Sequence, residues 1–256
     1  MILDKIVETK KEEVAQAKRK KTLAGLQDAI GELSPCRNFI AALNGSDCAI
    51  IAEVKCASPS RGRLVENFDP LKIAAAYEQN GAAAISVLTD EKYFLGSKEY
   101  LTRIKKEVEL PLLRKDFIID PYQIYESRLI GADAVLLIVR CLGAKLGDFI
   151  GLAAQLGLAA LTEVHTAAEL EIALAAGAGI IGINNRNLDT FVTDINTCKE
   201  LARSIPTGIV TVAESGIRNR DDIENIMQSG IRAFLIGEAL VTSDDIGRKL
   251  REFQGE

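Results

Sequence analysis

The residues able to do chemistry in this chain sit at the ends of short apolar runs and repeat a spacing of two. In "CAIIAEVKCASPS", Glu53 and Lys55 share the strand face that carries Ile51. The same spacing joins Leu113 to Lys115, Leu161 to Glu163, Gly182 to Asn184 and Val212 to Glu214. An isolated buried charge costs several kcal/mol, so packing alone would not select these residues. Two lysines, three glutamates and an asparagine at matching positions of five runs predict one convergent cluster. Burial and opposite charges shift pKa values in such a cluster, which suits it to donating and accepting protons. A desolvated Lys115 could also serve as an imine-forming nucleophile.

Other stretches bear on the ligand. "ESGI" (Glu214 to Ile217) and "IGEAL" (Ile236 to Leu240) put Gly216 and Gly237 where backbone N–H groups can approach an anion. Ser215 stands beside Glu214, and Arg186 follows Asn184. "SPSRG" (Ser58 to Gly62) is polar and suits a lid over the site. His165 shares the face of Glu163 just beyond its run and reads as a rim residue. Five scattered cysteines without a CxxC pair, and a single histidine, predict neither a disulfide framework nor a metal site.

These residues need elements to hold them. From residue 48 onward, apolar runs such as "CAIIAEV", "LPLLRK", "DAVLLIV" and "GIVTVA" alternate with stretches of helical periodicity, among them 70–80, 100–108, 166–176 and 221–229. Gly81, Gly131, Gly157, Gly177 and Gly230 follow the helices, as left-handed stops do. Strand–helix alternation with short links implies right-handed βαβ units, and about eight of them predict a closed (β/α)8 TIM barrel over an open sheet. In that fold the active site lies at the C-terminal strand ends, where the cluster falls, and the last loops hold phosphate. The expected organisation is a single α/β domain over 1–256, with an N-terminal helical extension over 1–45 and the barrel over 46–256. "GAGIIG" (Gly177 to Gly182) matches a dinucleotide fingerprint by letter, but it closes a helix and enters a strand, the reverse of the required context.

The net charge of −5 argues against nucleic acid as a partner. No charge-free stretch exceeds the 14 residues of Phe149 to Thr162, too short for a membrane span. The N-terminus reads as an amphipathic helix with Ile2, Leu3, Ile6 and Val7 apolar, not as a secretory signal. A cytoplasmic protein is expected.

Taken in order, "IIAEVKCASPSRG", "SVLTDEKYFLGS", "LLRKDFIIDPYQI", "ADAVLLIV", "LTEVH", "GINNRNL", "AESGI" and "AFLIGEAL" resemble the indole-3-glycerol-phosphate synthase family of tryptophan biosynthesis. The resemblance implies ring closure of 1-(2-carboxyphenylamino)-1-deoxyribulose 5-phosphate with loss of CO2 and water, without metal or organic cofactor. It implies Lys115 as general acid toward the ketone and Glu163 in proton transfer during dehydration. Lys55 would contact the anthranilate carboxylate, with a further proposed part as a dehydration acid, and Glu53 would hold the lysines. Asn184 and Glu214, with Ser215 beside them, would orient the ribulose chain. Ser58, Gly216 and Gly237 match the phosphate site, Arg186 a position supporting the loops, and Phe94 and Phe117 the walls of the anthranilate pocket. A monomer is expected, with at most weak docking to other enzymes of the pathway. Cys56 departs from the basic residue more common at its position.

Overall fold

The computed structural model describes residues 2–31, 33–187, 190 and 192–256; the last residue of "GINNRNL", Leu188, lies outside them. Eight parallel strands form the expected barrel: β1 Ala49–Val54, β2 Ala84–Leu88, β3 Leu112–Lys115, β4 Ala134–Ile138, β5 Ala159–Val164, β6 Ile180–Asn184, β7 Val210–Glu214 and β8 Ala233–Ile236. Each pairs with its neighbours in sequence, and β1 closes the ring on β8, Ile51 opposite Leu235. Parallel neighbours require crossovers, and helices supply them. Helices Pro70–Gln79, Lys98–Glu107, Ala167–Ala175 and Arg220–Met227 lie within two residues of the periodic stretches. Asp69, Ser97, Thr166 and Asn219 cap them by accepting from first-turn N–H groups. The five predicted stop glycines all take φ between +75° and +96°.

Alternation along the strands sorts two layers. Ile50, Ala52, Val135, Leu137, Ile181 and Phe234 face outward against the helices. Ile51, Leu113, Leu136, Leu161, Ile180, Val212 and Leu235 fill the barrel interior. Burial on both faces is why the runs read as continuously apolar. Continuing the inner parity upward leads to Glu53, Lys115, Glu163, Asn184 and Glu214, so the face that packs the floor also aims the charges.

The extension grips the barrel at both ends. Helix α1 (Ile2–Lys20) lies across the mouth with Leu3, Ile6, Lys10 and Val14 buried. That stripe has helical spacing, and it takes in Lys10 where the sequence suggested Val7, which is half-buried. Helix α2 (Leu23–Ile30) packs on helix Pro121–Leu129, whose Tyr122 hydroxyl donates to the Ala17 and Lys21 carbonyls at 3.1 and 3.0 Å. Helix α3 (Phe39–Leu43) brings Phe39 and Leu43 into the interior cluster at the N-terminal strand ends. No helix among the described residues is long and apolar enough to cross a membrane.

Candidate active site

At the C-terminal strand ends, Lys115 Nζ stands 3.4 Å from Glu163 Oε2 and 3.3 Å from Glu214 Oε2. Lys55 Nζ lies 3.2 Å from Glu53 Oε1. The three carboxylates are at most 5% exposed by side chain, and Lys115 is 15% exposed. Burial works against the charge on Lys115, but Glu214, Glu163 and Glu53 outweigh it and raise its pKa. Burial also favours a neutral Glu163; the Lys115 ammonium, His165 and the Asn184 side chain reverse this and lower its pKa. Glu214 goes the other way. Burial and the nearby Glu163 and Glu53 carboxylates push it up to about 7 against the pull of Lys115. Apart from the Lys115 ammonium 3.3 Å from Oε2, neither Glu214 oxygen has a hydrogen-bond partner, and both are buried.

Two glycines make room for these groups. A Cβ at Gly182 would fall 2.1 Å from Glu214 Oε1, and one at Gly237 would fall 2.4 Å from Glu53 Oε1. Gly237 therefore clears space for a carboxylate where it lines the cavity.

The cluster divides two connected chambers. One is apolar, lined by Phe94, Phe117, Leu136 and Ile138, with Ile2, Leu3 and Ile6 of α1 across it. Phe94 and Phe117 have ring centroids 6.0 Å apart, and Lys55 Nζ sits 5.7 Å from the Phe94 centroid. Its aromatic walls fit a planar ring. The other chamber is polar and lined by Arg61, Thr193, Gly216, Arg218, Gly237 and Glu238. Glu53, Lys55, Lys115, Arg186 and Ser215 line both. Ser58 lines the apolar side, apart from Gly216 and Gly237, and its buried Oγ has no partner. Arg186 Nε donates to Thr193 Oγ1 at 3.3 Å, bracing the loop after β6. The "SPSRG" stretch forms a small hairpin, Ala57–Ser58 paired with Gly62–Arg63, and its Arg61 pairs with Glu238. Among the described residues no group of three or more His, Cys, Asp and Glu side chains could hold a metal ion.

Sequence reasoning missed the part of α1. Lys10 is buried and reaches Asp90 Oδ2 at 3.1 Å, Asp116 Oδ1 at 2.9 Å and Glu13 Oε2 at 2.7 Å. Asp116 also receives Arg114, at 3.0 Å. A lysine within the apolar stripe of an amphipathic helix was the available signal, because a buried ammonium demands carboxylates. Leu136 and Ile138 could have been found by the same spacing of two that exposed the charges.

The family model described as indole-3-glycerol phosphate synthase matches residues 3–253. The chain belongs to the indole-3-glycerol phosphate synthase family. It is a carboxy-lyase of tryptophan biosynthesis and acts on a phosphorylated small molecule. The indole-3-glycerol phosphate synthase of Chlorobaculum tepidum is 50% identical over 247 residues, 95% of this chain and 96% of that one. That of Alkaliphilus metalliredigens is 48% identical over 256 residues, 99% and 98% of the two chains. The thiamine phosphate pyrophosphorylase structure from Pyrococcus furiosus superposes with a TM-score of 0.60 at 15% identity, covering 82% of this chain and 95% of that one; this likeness concerns the fold alone.

Proposed function

We propose that ring closure occurs at the seam between the chambers, with Lys115 as its general acid. The carrying observation is the Lys115 ammonium, set between Glu163 and Glu214 where both chambers meet. The anthranilate ring lies between Phe94 and Phe117, its carboxylate on Lys55. The ribulose chain passes Asn184, Glu214 and Ser215, and the phosphate reaches Gly216 and Gly237, with Arg61 and Arg218 nearby. The unpartnered Ser58 Oγ meets the ligand from the hairpin, and Arg186 braces the loop beneath it. Attack by the aromatic carbon on the ketone builds negative charge on oxygen, which Lys115 neutralises by proton donation. Loss of CO2 restores aromaticity. Glu163 then removes a proton as hydroxyl leaves, with Lys55 as the acid, while Glu53 keeps Lys55 in place. Fixing both ends of the substrate aligns the reacting carbons.

The chain works as a monomeric, single-domain cytoplasmic enzyme in this reading, with weak docking to its pathway neighbours. In its support, both chambers are lined from one chain. Light scattering that gives more than a single-chain mass at working concentration would overturn the monomer. For the chemistry, indole fluorescence is followed as the protein meets the carboxyphenylamino-deoxyribulose phosphate. Wild type should show a rising signal, and Lys115→Ala should lose about 10²–10⁴-fold in kcat. A Lys115→Ala variant with near-normal kcat would reject Lys115 as the acid.

A further inference from the structure

Three carboxylates line the polar chamber, and the mechanism uses two of them. Glu53 faces Lys55 and Glu214 faces Lys115. Glu238 faces arginines instead. Its Oε1 pairs with Arg61, and its Oε2 points toward Arg186 Nη2 at 4.0 Å. Oε2 is buried yet accepts no hydrogen bond among the described residues. Glu238 opens the short helix Glu238–Val241 directly after Gly237, where the proposed phosphate ends. A carboxylate at the anion end of a chamber, set against the cations an anion would use, calls for a role.

Competition supplies one. A phosphate monoester carries about 1.5 to 2 negative charges at neutral pH and bonds guanidinium groups strongly. One that reaches Gly216 and Gly237 enters beside Glu238 and contends with it for the same arginines. The two anions repel, and any pair the phosphate must first break subtracts from its binding. The reaction removes CO2 and water and leaves the phosphate untouched, so substrate and product are gripped alike at this end. Uniform binding of that kind lowers KM without raising kcat, and it retains the product. A carboxylate that reclaims the arginines loosens the grip.

We propose that Glu238 sets how tightly this enzyme holds the phosphate, by exchange of Arg61 and Arg186 between its carboxylate and the ligand. The proposal rests on the phosphate lying in the polar chamber, as assigned above. Glu238 touches no reacting carbon. As the phosphate arrives, the two guanidinium groups turn to it from Glu238; as the product leaves, Glu238 takes them back. Arg186 has a group to spare for this, since its Nε stays with Thr193 while Nη2 faces Glu238. Arg61 is free to swing, with a side chain 62% exposed between the paired residues of the hairpin. The hairpin is thus tied to the helix after β8 in one arrangement and to the ligand in the other.

The test measures competitive inhibition by inorganic phosphate and by the indole-3-glycerol phosphate product in wild type, Glu238→Gln, Arg61→Met and the double variant. Glu238→Gln keeps the size of the side chain and removes its charge; Glu238→Ala serves if it does not fold. Both inhibition constants and KM should fall about five- to tenfold, while the single-turnover rate at saturating substrate stays within about twofold of wild type. In the Arg61→Met background the same change should gain no more than about threefold, because one exchanged cation is gone. An equal gain in both backgrounds would leave plain repulsion and overturn the exchange. Unchanged or weaker inhibition in Glu238→Gln would make Glu238 a support for Arg61 and overturn it too. If phosphate inhibits wild type no more than chloride at equal ionic strength, the polar chamber is not the phosphate end, and that reading falls with the proposal built on it.

Discussion

Lys115 keeps its proton because carboxylates on two sides outweigh its burial, yet the same crowding leaves Glu214 poised near neutrality. Glu214 has a folded pKa above its ordinary 4.5, so its favourable contribution to stability is complete below 4.5 and lost as pH rises through about 7. Glu214→Gln should therefore unfold at a higher temperature than wild type at pH 8, with little difference at pH 4. Its kcat should fall at both values, because its oxygens face the ribulose chain in the proposed site. Calorimetry across pH checks the stability, and a lower unfolding temperature at pH 8 would reject the crowding argument. Gly182 is the second lever at this scale, since an added methyl enters the space of Glu214 Oε1. Gly182→Ala should lose about 10²-fold in kcat while staying folded, measured by indole fluorescence beside circular dichroism. The clustered charges were legible because a spacing of two marks one strand face. That Gly182 leaves room for one of them was not, since it depends on a neighbour contributed by β7.

Helix α1 is anchored by charge. Burial works against ionising Asp116, but Arg114 and Lys10 together hold its carboxyl well below the usual range. Lys10 is itself held protonated by Asp116 and Asp90 against burial. The signs combine: Asp116 stabilises the fold above its unfolded pKa of about 3.9, and Lys10 does so below its own of about 10.4, so the clamp holds through neutrality. Lys10→Met leaves two buried carboxylates without that cation and should destabilise the protein by about 3–5 kcal/mol. With Lys10 absent, Asp116 titrates closer to its unfolded value, so stability should fall less steeply below pH 4. Ile2, Leu3 and Ile6 would then hold the apolar chamber less firmly, and KM should rise more than kcat falls. Urea unfolding between pH 3 and 8 and steady-state kinetics read both. The amphipathic pattern showed a helix; its seat over the mouth depended on aspartates 80 and 106 residues further along the chain.

At the scale of the molecule, the end of the barrel away from the charged cluster carries packing of its own. Phe39 and Leu43 join the interior cluster at the N-terminal strand ends, and Arg37 donates its backbone N–H to Asp133 Oδ1 at 2.7 Å at the start of β4. Phe39→Ala should cost about 3–5 kcal/mol through the cavity it leaves. Its kcat should be unchanged, because the charged cluster lies at the other end of the strands. Denaturant unfolding and turnover at a temperature where the variant remains folded decide it. A parallel loss of kcat would show that the two ends are coupled.

Local spacing and glycine stops were enough to determine the alternation of strands and helices, the barrel, and the six polar residues that converge at its mouth. These follow from strand period, helix period and the cost of unpaired charge, all written within a few residues of one another. The tertiary structure decided what depends on distant parts meeting. It set α1 across the apolar chamber, placed Ser58 with the aromatic walls, fitted Glu53 and Glu214 against glycines in or just past other strands, and turned His165 toward Glu163. Each of those is a contact in three dimensions, and no local period of the chain encodes it.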